Sequence, residues 1–370
     1  MKILVVSSVY TLSGVPLAQL RLAESLGSIG HDVDLVYGCK KYQSIKKSKY
    51  IKVLFLNKFR AIGMFFPLWK YLIFNKPEVI FSAEDHLNII TVLASIFSFS
   101  KAKISVSSRV TPIDTYRNSN MFFTKGWFLK IFFPLVNWRA NVMTCVSKDM
   151  VKQYRNIFSK TKQVYAYNIV KTDNIEIKLR EKISHKWFKR KSGKIIVAAG
   201  MLAKWKGFDD LIKAANIINS KNFKFRLVIF GSGPEKESLI KLIKSYKLQK
   251  KVIILKPEIN ILKYFYNSDI FVLSSRVEGM PNVMIEAMMC GCTVVATNCA
   301  TGPSEILGKN EFGYLSKVNN PQDLSKNIIR SFKKKISNKK TKKIVRMFSA
   351  KEVLKRHFIL LKINKKNWKL

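Results

Sequence analysis

The sequence predicts an α/β protein made of two doubly wound parallel sheets. Three observations carry this. Short β-branched runs alternate with longer helical patterns along most of the chain, the mark of βαβ units. The alternation is interrupted once, by a polar and basic stretch at 168–194, and then restarts. The length of 370 residues is large for one hydrophobic core, while 48% apolar and 12% aromatic residues are ample for two.

In the first half, strands are predicted at 3–6, 33–37, 53–56, 79–81, 104–107 and 142–146. In the second half they fall at 195–199, 226–230, 252–255, 270–273 and 293–296. This gives an N-terminal domain over 1–167, a linker over 168–193 and a C-terminal domain over 194–335. A basic segment follows at 336–370. In it, "KKKISNKKTKK" reads as a solvated linker, and Val353, Leu354, Phe358 and Leu361 stand at the spacing of an amphipathic helix that packs back on the domains. Two such domains facing each other leave a cleft, and open α/β sheets bind ligands at the carboxyl ends of their strands.

Composition narrows the function. Lys and Arg outnumber Asp and Glu by 67 to 23, a net charge of +44. Such an excess favours polyanions and anionic membrane surfaces, although a charge run is also an ordinary solvated face. From Arg330 to Leu370 there are 16 Lys or Arg and one acid, Glu352. The cysteines (Cys39, Cys145, Cys290, Cys292, Cys299) are odd in number and scattered, which points to a reducing compartment. Cys290-x-Cys292 lacks a matching pair and reads as small core residues rather than a zinc site. The N-terminus "MKILVVSSVY" has too short an apolar run for a cleavable signal and reads as a strand. A spanning helix needs about 20 mostly apolar residues. The best candidate, 121–138, carries Lys125, Lys130 and Pro134.

Three glycine-bearing turns follow predicted strands: Ser13-Gly14, "GMLAKWKG" from Gly200 to Gly207, and "GSGP" from Gly231 to Pro234. Such turns let backbone amides approach a phosphate, or they serve as turns and nothing more. None fits a dinucleotide fingerprint or a Walker loop. In "SSRVEGMPNVMIEAMMCGCTVVAT", Glu278 lies in a turn and a helix starts near Asn282, running through Met289 to a stop at Gly291. Glu286 shares a side with Asn282 by i, i+4 spacing. Carboxylates here can accept hydrogen bonds from vicinal hydroxyls while the helix N-terminus takes an anion. Equally, Glu286 can be a helix-surface residue and Glu278 a turn acid. The lone Asp-x-Asp, Asp32 and Asp34, puts both side chains on one face of a strand.

The run "EGMPNVMIEAMMCGCTVVAT" resembles the Glu-x7-Glu signature of the retaining nucleotide-sugar glycosyltransferases of family 4. Their architecture is GT-B, two Rossmann-like domains facing a cleft. "MKILVVSS", "LAESLGSIGHDVDLVYG", "VMTCVSKDM", "AAGMLAKWKGFDDLIKAA", "RLVIFGSGPEKESL" and "YFYNSDIFVLSS" are similar to the family's units in the family's order, over about 300 residues. The resemblance implies that Glu278, with the amides of Gly279, Met280 and Asn282 in the turn through Pro281, holds the transferred sugar. It implies that Glu286 holds the ribose, and that Lys206, beside Gly200 and Gly231, neutralises the diphosphate. Gly14 would line the phosphate side from domain one, and the loop with Pro257 would frame the base. No metal or other cofactor is expected, and the family explains "GHDV" without one.

Two positions depart from the family. Where it commonly has an arginine, this chain has Met201, so charge must come from Lys206, helped by Lys204 or Arg276. A family histidine that touches the sugar is replaced in "SSRVTPIDTYR", leaving Arg109 or Asp114 as substitutes. His86 is a third candidate, set against an ordinary exposed or satisfied histidine.

On the acceptor side, 58–76 and 121–139 mix Phe and Trp with Lys and Arg. They read as interfacial segments or as core helices with snorkelling lysines; with the net charge added, membrane docking is the better explanation. "TGPSEIL" resembles members that build O-antigen, capsule and other cell-surface polysaccharides. The expectation is a peripheral enzyme at the cytoplasmic face of the membrane, moving a hexose or N-acetylhexosamine from a UDP-sugar to a lipid-linked glycan. The alternatives are a basic nucleic-acid- or membrane-binding protein and an inactive relative. No helix-turn-helix, RNP or zinc pattern supports nucleic acid as a partner.

Overall fold

A computed structural model describes residues 1–11, 14–40, 48–116, 119–170, 175–183, 185–189 and 193–370, with the side chains of Asp114, Lys189 and Asn338 excepted. The chain forms two compact units. Unit one is Met1–Val170 with Phe348–Leu370, and unit two is Lys171–Met347. Ser13 and residues 171–174, 184 and 190–192 of the expected linker lie outside the described residues.

Unit one holds β1 (Lys2–Tyr10), β2 (Asp32–Lys40), β3 (Lys52–Phe55), β4 (Val79–Ala83), β5 (Lys103–Ser108), β6 (Val142–Cys145) and β7 (Gln163–Tyr165). They form one seven-stranded parallel sheet in the order β3-β2-β1-β4-β5-β6-β7. In register, Ile3 stands beside Val33 on one side and Val79 on the other. Ile3, Leu4, Val5 and Val6 are fully buried, as a central strand covered on both faces requires.

Unit two holds β8 (Lys194–Ala199), β9 (Phe225–Phe230), β10 (Val252–Leu255), β11 (Ile270–Leu273), β12 (Thr293–Thr297) and β13 (Tyr314–Ser316). Its parallel order is β10-β9-β8-β11-β12-β13. Its core runs through Ile196, Leu211, Ile212, Ile218, Leu227 and Ile328. In each sheet the order of winding reverses, at β1/β4 and at β8/β11. Loops diverge there at the carboxyl edge and leave room for a ligand.

The sequence prediction missed β7 and β13. Both are three-residue edge strands without a β-branched run of their own. "KKKISNKKTKK" is solvated as expected, its lysines all exposed, but it is not a plain linker. Ser337 caps a helix over Asn338–Arg346, its hydroxyl accepting from the Lys339 amide at 3.2 Å. That helix buries Thr341 and Ile344 and packs against the helix Asn282–Met289. The last helix, Ala350–Leu360, belongs to unit one. It buries Val353, Leu354, His357 and Phe358, with rings set edge-on to Phe81 and His31. All five cysteines are free, and Cys290 and Cys292 are buried. Among the described residues, no helix is long and apolar enough to cross a membrane.

Candidate active site

In unit two, Gly200 follows β8, Gly231 follows β9, Pro257 follows β10 and Glu278 follows β11, so parallel winding brings all four to one edge of the sheet. The glycines at this edge are there for close approach. A Cβ on Gly231 would meet the Gly200 carbonyl oxygen at 2.2 Å, and one on Gly233 the Leu202 carbonyl oxygen at 2.4 Å. The "GSGP" turn is therefore packed on the "GMLAKWKG" turn, an arrangement fixed by Leu202 N–H donating to Ser232 O and Glu235 N–H to Leu202 O, both at 2.9 Å. Gly207 has φ +61, and a Cβ there would lie 2.1 Å from the Ser274 carbonyl oxygen. Only glycine fits this left-handed, crowded position.

This packing delivers Lys206 to Glu278. The Lys206 ammonium forms a salt bridge with Glu278 Oε1, the two side chains 19% and 10% exposed. Ser275 Oγ donates to the same carboxylate oxygen at 2.6 Å, and Ser274 Oγ donates to the Lys206 carbonyl at 2.9 Å. The Glu278 loop is held in turn by residues 300–301. Glu278 N–H donates to Ala300 O at 3.0 Å, Thr301 N–H donates to Glu278 O at 2.7 Å, and Thr301 Oγ1 donates to Gly279 O at 2.6 Å. Met280 and Pro281 are buried beside it, against Gly302.

The helix Asn282–Met289 begins where the sequence predicts. Glu286 is half-buried on it, and burial together with the Glu286 charge pushes the Cys290 thiol up to about 12. The Asn282 amide donates to Met280 O at 2.9 Å, so one of the three amides expected to serve the sugar is engaged within the turn itself. Pro257 is exposed on its loop, next to Glu258, whose carboxylate faces Lys263 at 3.8 Å.

Arg276, offered as a helper to Lys206, is engaged within unit two. Its guanidinium donates to both Asp209 carboxylate oxygens at 3.0 and 2.9 Å, to Asp210 at 2.7 Å, to Asn319 at 2.6 Å and to the Lys204 carbonyl. With its donors spent on two acids, it clamps the Lys204–Lys206 turn. Lys206 is the cation that faces Glu278.

In unit one, Gly14 follows β1 at φ +61 and opens the helix Gly14–Ser28, with no other atom within 4 Å of where a Cβ would stand. His86 follows β4, is 40% exposed, and has Glu84 at 3.7 Å. Burial lowers its pKa against the pull of Glu84. Arg109, after β5, donates to Asn168 and, at 3.2 Å, to Gln19, and burial brings it down to about 10, still charged at neutral pH. Asp114 lies in the short helix Pro112–Thr115. Sequence reasoning missed Asp85, a half-buried carboxyl that accepts from Ser108 Oγ at 2.6 Å and Tyr154 OH at 3.5 Å and is raised by desolvation to about 6. "SAEDHL" contains it, but no spacing marks it. Asp34 is buried and accepts from Tyr71 OH, while Asp32 is exposed. Among the described residues no three His, Cys, Asp or Glu side chains are grouped as metal ligands would be.

Comparison with known proteins bears on this geometry. Residues 180–347 match the family described as Glycosyl transferases group 1. A Campylobacter jejuni protein, N-acetylgalactosamine-N,N'-diacetylbacillosaminyl-diphospho-undecaprenol 4-alpha-N-acetylgalactosaminyltransferase, is 31% identical over 243 residues. The match covers 64% of this chain and 62% of that protein, so it spans less than two thirds of the relative's length. Among solved structures, Anabaena HepE in complex with UDP and glucose superposes with a TM-score of 0.73 at 17% identity, covering 98% of this chain and 99% of that one. The lipopolysaccharide outer core galactosyltransferase WaaB superposes with a TM-score of 0.71 at 15% identity, covering 98% and 99%. These superpositions establish the GT-B fold.

Proposed function

We propose that this chain, whose residues 180–347 belong to the glycosyl transferases group 1, is a glycosyltransferase that moves a hexose or N-acetylhexosamine from a UDP-sugar to a lipid-linked glycan in cell-surface polysaccharide synthesis. The observation that carries the reading is the Lys206–Glu278 pair at the carboxyl edge of the second sheet. A cation and a carboxylate in contact match what a sugar diphosphate presents, an anionic leaving group joined to a ring of hydroxyl donors. The C. jejuni relative, by its name, acts on a diphospho-undecaprenol glycan, and HepE was solved with UDP; both support the substrate classes.

In the reaction, the bond between the sugar C1 and the diphosphate oxygen breaks, and a bond from C1 to the acceptor oxygen forms. Negative charge grows on the diphosphate, where Lys206 turns from Glu278 to meet it. Glu278, freed, accepts from the sugar hydroxyls, and Glu286 accepts from the ribose. The departing phosphate oxygen takes the acceptor's proton, which gives retention without a protein nucleophile. Lys206 supplies the charge that a metal ion would otherwise bring, so chelation should leave the rate unchanged. Domain one takes the acceptor, with Arg109, His86 and Asp114 as its polar contacts.

The deciding experiment is a panel of nucleotide-sugars tested for hydrolysis and transfer, with membrane lipid extract as acceptor, with and without EDTA. Transfer from a UDP-sugar with the donor's anomeric configuration kept is the expected result. No turnover with any donor, together with no binding of UDP, overturns the reading.

A further inference from the structure

Three helices of unit one, Phe65–Asn75, Asp85–Phe97 and Lys125–Arg139, pack side by side, the middle one against the sheet. The first and third each bury one stripe and leave another apolar stripe facing water, and the second exposes Phe97 at its end. On the third, Leu129, Phe133 and Val136 are buried, whereas Phe128, Ile131 and Trp138 are exposed. On the first, Leu68 and Leu72 are buried, while Phe66 and Phe74 are 71% and 74% exposed. The turn after the second helix adds Phe99, 91% exposed, and Phe123 before the third is 81% exposed.

The surfaces are continuous. Trp69 Nε1 donates to Phe97 O at 3.2 Å, Phe65 and Phe97 pack edge to face at 5.7 Å, and Arg139 Nη2 donates to Ser100 O at 2.6 Å. The 97–100 turn is thus tied to the helix on either side. Aromatic side chains of ~150–250 Å² each at these exposures make an apolar area on the order of 1,000 Å², beyond the few hundred Å² a soluble surface usually shows.

The charge around this face is mostly positive, the acids of the middle stretch being Glu78 before β4 and Glu84 and Asp85 at the start of the second helix. Lys58, Lys70, Lys76, Lys101, Lys125 and Lys130 are exposed, and the segments 58–76, 97–113 and 119–139 contain no Asp or Glu. A second copy set on this face would bring lysines against lysines. Aromatics interleaved with cations across three neighbouring elements suit the boundary between anionic headgroups and acyl chains. We propose that the outer face of these three helices, with the Phe97–Phe99 turn, docks on an anionic phospholipid bilayer. The basic tail is not the anchor: helix Ala350–Leu360 turns its apolar side inward and packs against Gly14–Ser28.

This deepens the lipid-linked-acceptor reading and rests on it for its purpose, while the measurement needs no turnover. The full-length protein is floated with phosphatidylcholine vesicles with and without phosphatidylglycerol. It should bind the anionic vesicles and release in high salt. Phe66→Ser/Phe99→Ser/Trp138→Ser and, separately, Lys70→Glu/Lys130→Glu should each lower partitioning by ~10-fold or more. Both should keep the wild-type melting temperature and UDP binding, because the altered side chains face water. Lys339→Ser/Lys340→Ser/Lys342→Ser/Lys343→Ser should bind as wild type. The proposal is overturned if the two face variants float like wild type, if the tail variant alone loses binding, or if the wild type ignores anionic vesicles and sediments as a dimer. Loss of flotation with transfer to a water-soluble acceptor intact supports the docking face; flotation without turnover leaves docking standing and counts against the enzymatic reading.

Discussion

Lys206 and Glu278 hold each other in the structure, so removing both tells more than removing either. Lys206→Met deletes the charge and keeps most of the stem, leaving the Glu278 carboxylate, 10% exposed, with Ser275 Oγ as its side-chain donor. Stranding a fully buried charge costs about 3–5 kcal/mol. The residual exposure of both side chains brings this to roughly 1–3 kcal/mol, or ~3–10 °C in melting temperature for a domain of this size. Glu278→Gln strands the ammonium instead, at a smaller cost because the lysine stem can swing outward. The double variant strands nothing, and the introduced amide oxygen can still accept from Ser275. Its stability should therefore exceed the sum of the single losses by about 1 kcal/mol or more. Turnover should behave differently. Both charges act on the transition state, so the double variant should stay ~10²–10³-fold slow despite its recovered stability. Thermal unfolding and initial transfer rates on the four proteins separate the two effects. A double variant within ~10-fold of wild-type turnover, or single stability losses that simply add, would refute the reasoning.

Gly207→Ala should lower the melting temperature of unit two by ~5 °C or more, since the left-handed φ and the 2.1 Å approach to Ser274 O leave no room for a methyl; an unchanged unfolding curve would contradict it. Arg276→Leu should destabilise by a similar amount, because Asp209 and Asp210 lose the guanidinium and keep only Lys213 as a shared cation. It should leave UDP affinity within ~3-fold, and weakened UDP binding at unchanged stability would restore Arg276 as a phosphate ligand. Acid should weaken unit one. Burial depresses His31 to about 4 and His357 to about 3, so the unfolded chain takes up protons first as pH falls below 6.5. Stability present above that pH is then lost toward pH 4, at up to about 1.4 kcal/mol per pH unit for each histidine. Asp85, raised to about 6 by burial, works in the opposite sense between 3.8 and 6 and offsets one of them. Denaturant midpoints between pH 4 and 8 should fall toward acid, and His357→Gln should flatten the fall; a steeper dependence in that variant would reverse the assignment.

Among the described residues, eleven of the thirteen strands were readable because each carries a β-branched run that parallel burial requires. The other two, Gln163–Tyr165 and Tyr314–Ser316, exist because a neighbour offers an open edge, and their own residues do not announce it. The helix at Asn338–Arg346 was hidden by its lysines; its few buried side chains find their partner only in the folded domain. At the site, motif order located Lys206 and Glu278, and winding explains why they meet. The commitment of Arg276 to Asp209 and Asp210 spans more than 60 residues and has no spacing signature, and the same is true of Asp85 with Ser108 and Tyr154. The two turn glycines Gly231 and Gly233 stand in a turn that can be read as phosphate-binding or as a plain turn, and the sequence does not show that their hydrogens also let one loop lie on another.

Because unit one is assembled from Met1–Val170 and Phe348–Leu370, with Val170 N–H donating to Phe348 O at 3.0 Å where the two pieces rejoin, synthesis imposes an order. A ribosome finishes every residue of the second unit before the first has its closing helix. Until Val353, Leu354 and Phe358 emerge, the patch around His31 and Phe81 stays uncovered. The nascent chain thus carries a completed second unit while its first half waits, sticky and protease-sensitive, for its last residues. A stop codon at the start of the final helix should leave the second unit protease-resistant and the first one degraded, a truncation phenotype with its lesion far in sequence from the strands it exposes.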